Sequence, residues 1–62
     1  MTSDVLTVTE VAEYLRIHRT TLYKLCRAGA IPFFKVGSDY RFKREAVDAW
    51  MAGRTQVDKV QS

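Results

Sequence analysis

The sequence predicts a mainly α chain with one small β-hairpin, its elements in the order helix, helix, hairpin, helix. Three observations predict it. Two short stretches carry apolar residues at helical spacing, separated by a break at Arg16-Ile17-His18. A later stretch alternates with period two on either side of Gly37-Ser38-Asp39. A third helical stretch follows, with Ala46, Val47, Trp50 and Met51 on one face.

Thr7 and Glu10 stand at the T-x-x-E spacing of a capping box, with Leu6 and Val11 placed to close a hydrophobic staple. Val8, Val11, Ala12 and Leu15 then form one stripe, so the first helix is expected over residues 8–16. Ile17 and Leu22 repeat the staple around His18, which takes the N-cap position of the second helix. That helix is expected over about residues 19–28, ended by Gly29 in the left-handed conformation. Two short helices joined by a turn of this length form a helix-turn-helix unit. In the hairpin, residues 33–42, Phe34, Val36 and Phe42 are expected to share the packed face. Lys35 and Arg41 are expected across from each other on the opposite face. The third helix begins near Arg44, and Gly53 is expected to stop it. The domain is thus expected over residues 6–53, with flexible ends at 1–5 and 54–62, as a helix-turn-helix with a wing.

The chain has 62 residues, enough for one domain and too few for a cleft between two lobes. No apolar run approaches the roughly 18 residues of a membrane span, and Met1-Thr2-Ser3-Asp4 lacks the character of a secretory signal. A single cysteine, Cys26, forms no internal disulfide and lies on an apolar helix face. A cytoplasmic protein is the expectation. The formal net charge is +3, but its placement is uneven. Eight Lys and Arg residues lie between Arg16 and Arg44 against one acid, Asp39, whereas acids dominate outside that stretch. Such polarity is the footprint of a polyanionic partner.

At about 100° per residue, Arg19, Thr20, Tyr23, Lys24 and Arg27 fall on one arc of the second helix, opposite Leu22 and Leu25. An apolar back with donors of varied length on the front is what a helix needs to enter the major groove of duplex DNA. Lys35 and Arg41 on the hairpin suit phosphate or a minor groove. Lys43 and Arg44 suit phosphate through side chain and free helix amide, and His18 suits a cap or a phosphate. One His and one Cys are too few for a zinc site. No nucleophile has a recognisable histidine partner, and no glycine loop cradles a phosphate. No enzyme activity, cofactor, metal or small-molecule ligand is therefore expected. Trp50 reads as core. The competing reading is a protein adaptor without DNA affinity, using Tyr14 and Phe33.

In order along the chain, Leu6-Thr7-Val8-Thr9-Glu10-Val11-Ala12-Glu13-Tyr14-Leu15, Arg19-Thr20-Thr21-Leu22-Tyr23, Gly29-Ala30-Ile31-Pro32, Lys35-Val36-Gly37, Arg41-Phe42 and Ala49-Trp50-Met51 resemble the excisionase-type helix-turn-helix family. That family is related to the DNA-binding domain of the mercury-resistance (MerR) regulators. The resemblance implies a winged helix with its second helix in the major groove and its wing along backbone or minor groove. It implies the work of an excisionase-like recombination directionality factor that bends DNA and assists an integrase or other recombinase, or of a small transcriptional regulator. Arg16 stands where the family often has glycine, His18 where it often has serine, and Asp39 in a wing tip that is usually more basic. The short stretch after the third helix implies no effector domain or long dimerisation helix. A lone module of this kind covers roughly 600–1,000 Å² of surface on DNA, so further copies on adjacent sites or a partner protein are expected.

Overall fold

Thr7 closes the capping box expected of it. Its amide donates to Glu10 Oε1 at 2.9 Å, and its Oγ1 accepts from the Glu10 amide at 3.2 Å. Two amides at the start of the first helix are thereby satisfied. The structure, a computed structural model, describes residues 4–54. It comprises β1 (Val5–Thr7), α1 (Val8–Leu15), α2 (Arg19–Arg27), β2 (Phe34–Val36), β3 (Asp39–Lys43) and α3 (Arg44–Arg54). Of the ends expected to be flexible, residues 1–3 and 55–62 lie outside the described residues.

Both helices of the helix-turn-helix end the same way. At the end of α1, the Ile17 amide donates to the Ala12 carbonyl at 2.9 Å and the Arg16 amide to Glu13 at 3.2 Å. At the end of α2, Ala30 donates to Leu25 at 2.9 Å and Gly29 to Cys26 at 3.0 Å. Each is a Schellman motif, whose hinge residue must be left-handed. Gly29 takes φ 70° without penalty, but the other hinge is Arg16, at φ 61°. His18 occupies the N-cap of α2, yet its side chain makes no capping bond, contrary to one of the two roles expected of it.

The sheet departs most from expectation. It has three strands, in the order β1-β3-β2, all antiparallel. β1 was not foreseen: Val5 pairs with Lys43 and Leu6 with Phe42, and the Arg44 amide donates to the Asp4 carbonyl at 2.8 Å. Residues 4 and 5 therefore belong to the folded unit. A three-residue strand hidden between a polar start and a capping box offers too little alternation to be seen.

The hairpin turn contains two residues, Gly37 and Ser38, rather than three, so β3 begins at Asp39. Gly37 takes φ 67° at the first central position, while Ser38 is not left-handed. That is the arrangement glycine permits in tight hairpins. One residue of register inverts every side chain of a strand. The pairs are Phe34 with Arg41, Lys35 with Tyr40 and Val36 with Asp39. Lys35 thus shares the inner face with Tyr40 and Phe42, and is not opposite Arg41. Phe34 and Val36, expected inside, are turned outward and exposed.

The core gathers Val8, Val11 and Ala12 of α1, Leu22 and Cys26 of α2, Ile31 of the following loop, Phe42 of β3 and Val47 of α3. Trp50 is only half-buried at its rim; its Nε1 donates to the Ala30 carbonyl at 2.6 Å. That bond ties α3 to the loop after α2. The α3 helix also continues through Gly53 to Arg54 rather than stopping there.

The two left-handed hinges make a matched test. Replacing Arg16 with Gly relieves a conformation costing about 1 kcal/mol, whereas Gly29→Ala imposes it. A Cβ at Gly29 meets nothing within 4 Å, so that loss would be conformational alone. Urea denaturation should show stability rising with Arg16→Gly and falling with Gly29→Ala, each by about 1 kcal/mol. Equal stability of the two variants would contradict these hinge assignments.

Candidate nucleic-acid interface

The second helix realises the division of faces read from its sequence. Leu22 and Cys26 are buried against the body and Leu25 is half-buried. Arg19, Thr20, Tyr23, Lys24 and Arg27 are all exposed on the other side, with His18 exposed at the helix start. Among the described residues, none of these cations has an acidic partner; the ion pair there is Arg41 with Asp39. Uncompensated cations on one face produce a field that attracts an anionic surface.

Tyr40 joins this helix to the hairpin. Its ring lies 5.8 Å from that of Tyr23, tilted at 50°, and 5.0 Å from that of Phe33, edge to face. Lys35 Nζ lies 5.2 Å from the Tyr40 ring centroid. The register that turns Lys35 inward thus brings its ammonium to the side of the sheet facing α2. Tyr40 was read from sequence only as part of a strand rhythm. Its linking role depends on contacts across 17 residues from Tyr23, which no local pattern carries.

Arg41 reaches the same region differently. Its Nη1 donates to the Tyr40 carbonyl at 2.9 Å, and its Nη2 lies 3.8 Å from Asp39 Oδ2. An open groove of about 390 Å³ runs between the start of α1, the middle of α2 and the hairpin tip. Thr7, Thr9, Tyr23, Ser38, Asp39 and Arg41 are among its walls. Thr9, Ser38 and Asp39 were not among the expected site residues.

The remaining candidates are placed elsewhere. The Arg44 amide, expected to be free for phosphate, is taken by Asp4, and its guanidinium lies 5.4 Å from the Tyr14 ring centroid. Tyr14 in turn donates its hydroxyl to Asp48 Oδ1 at 2.6 Å, which raises its pKa above the usual tyrosine value. This α1–α3 clasp engages one of the two aromatic residues assigned to a protein adaptor. Lys43 is exposed on the outer face of the sheet, beside a small hollow lined by Pro32, Phe33, Phe34 and Ala46. Of the ten residues proposed from sequence, the structure groups the α2 set with Lys35 and Arg41, and separates Arg44 from them.

Among the described residues no group of His, Cys, Asp and Glu is arranged to hold a metal ion, and no helix is long and apolar enough to cross a membrane. Cys26 is buried, and its thiol pKa is raised by that burial.

Comparison with known proteins agrees with this architecture. The profile described as "Helix-turn-helix domain" matches residues 5–55. Two relatives, from two strains of Mycobacterium tuberculosis and both named as candidate DNA-binding proteins, are 38% identical over 45 residues, which is 73% of this chain. The chain covers 58% of the length of these relatives. No solved structure gives a significant match.

Tyr40→Leu removes both ring contacts and should cost about 1–2 kcal/mol in urea denaturation, whereas Tyr40→Phe keeps the rings and should cost less. Equal losses would show that ring stacking is not what holds the hairpin to α2. Because only the thiolate reacts, Cys26 should resist a thiol reagent at pH 8 until the protein is unfolded. Reaction at the rate of free cysteine would contradict its burial.

Proposed function

The chain belongs to the helix-turn-helix domain family, and we propose that it is a sequence-specific binder of duplex DNA. In this reading α2 enters the major groove, and the hairpin acts as a wing against the backbone or minor groove beside it. The observation that carries the reading is the exposed α2 face of Arg19, Thr20, Tyr23, Lys24 and Arg27, free of acidic partners among the described residues and packed through Tyr40 onto a cationic hairpin. Arg and Lys can donate to guanine O6 and N7, and Thr can meet a base edge or a thymine methyl. Lys35 and Arg41 contact phosphates, which set the register of the protein without reading sequence. His18 lies close enough in sequence to Arg19 to add a phosphate contact at the start of α2. Lys43 and Arg44 are left to peripheral phosphate contacts through their side chains alone.

The names of the mycobacterial relatives support DNA as the partner. The excisionase-type resemblance supports two roles within this reading, an architectural one in recombination beside an integrase and that of a small transcriptional regulator. A module this small needs copies on neighbouring sites, or a partner, for tight binding.

Fluorescence anisotropy with a randomised duplex over a salt series is the direct test. Affinity should fall steeply with salt, log K changing by about 0.9 per phosphate neutralised for each unit of log salt. On a selected site, Arg19→Ala or Lys24→Ala should cost about 1–3 kcal/mol and relax preference at one base pair. A uniform loss on all sequences would assign that side chain to phosphate. Absence of binding at low salt would overturn the proposal and favour the protein adaptor.

A further inference from the structure

Asp39 is the one acid between Arg16 and Arg44, and it stands at the hairpin tip against the one hairpin arginine. Building on the DNA reading, we propose that the groove beside it seats one backbone phosphate of the duplex on Arg41. Asp39 holds that guanidinium in the free protein and yields it when the phosphate arrives. Asp39 is then a specificity residue, lowering affinity for DNA in general while leaving the seat available once α2 is fully docked.

The geometry suits an exchange. Arg41 is anchored on one side by its 2.9 Å bond to the Tyr40 carbonyl, so its position is set by the sheet. The approach of Asp39 at 3.8 Å is longer than a charge-assisted hydrogen bond, at about 2.7–2.9 Å. The Asp39 side chain is 69% exposed and that of Arg41 is 30% exposed. The acid can therefore swing into water while the cation stays in place. The groove also presents the hydroxyl-bearing residues Thr9 and Ser38, and its far wall is Tyr23 of α2. A phosphate seated there would be adjacent to the helix in the major groove, which links occupation of the seat to docking of that helix. An exposed ion pair contributes little to stability, so its loss leaves the fold intact.

The test is a cycle of the full chain, Asp39→Asn, Arg41→Gln and the double variant, with Asp39→Ser as a second removal of the charge. Asp39→Asn should raise affinity for a randomised duplex about fivefold and steepen the salt slope by about 0.9. Affinity for the selected site should rise less, so the ratio between the two falls. In the Arg41→Gln background the same substitution should change affinity less than about twofold. The gain should persist in inorganic phosphate at matched ionic strength. Wild-type binding with no gain from either Asp39 variant would overturn the exchange, as would an undiminished gain without Arg41. Loss of the gain in inorganic phosphate would reassign the seat to free anions and overturn the duplex assignment. No salt-sensitive binding by the wild type would instead remove the DNA reading on which the exchange rests.

Discussion

Phe42 is fully buried at the centre of the sheet, paired with Leu6 across β1 and β3 and surrounded by residues from all three helices. Because side chains alternate along a strand, inward Phe42 forces Tyr40 inward and Arg41 outward. The two-residue turn then transmits that choice to β2, where Lys35 must face inward and Phe34 outward. The placement of the hairpin cations follows from how one aromatic ring is buried.

Tyr40 joins the hairpin to α2. It is half-buried, with Tyr23 on one side, Phe33 on another and Lys35 over its ring. An isolated hairpin has marginal stability in water. The contact with Tyr23 ties the hairpin to α2. At the other side of the molecule, the Tyr14–Asp48 bond and the Trp50–Ala30 bond hold α3 against α1 and the loop. Neither contributes a side chain to the α2 face. On the cationic surface, Tyr23 and Lys35 pack against the Tyr40 ring and Arg41 is held by the Tyr40 carbonyl and Asp39, while Arg19, Lys24 and Arg27 stay exposed with no acidic partner among the described residues.

The helices were legible in the sequence because their determinants are local. A capping box spans three residues, a Schellman hinge about six, and an amphipathic stripe repeats every three or four. Thr7, Glu10, Gly29 and the stripe of Val8, Val11 and Ala12 therefore took their expected places. The front of α2 was legible for the same reason: Leu22 and Cys26 on the back determine which residues remain on the front. The charge contrast of the central stretch was legible directly from composition.

The sheet was not. Whether Asp39 belongs to the turn or to β3 is a difference of one residue, and Gly-Ser-Asp is good turn chemistry either way. Burial of Phe42 against Leu6 decided it, and that pairing joins residues 36 positions apart. From it follow the outward Phe34 and Val36, the inward Lys35, and the hydrogen bond that takes the Arg44 amide. By itself the sequence determined the helices, the capping box of α1, the glycine end of α2 and the chemistry of the exposed α2 face, since each depends on neighbours within about two turns. Only the tertiary structure decided strand register, the third strand and the partners of Tyr40 and Arg41, because side-chain period two leaves the choice of face to distant packing.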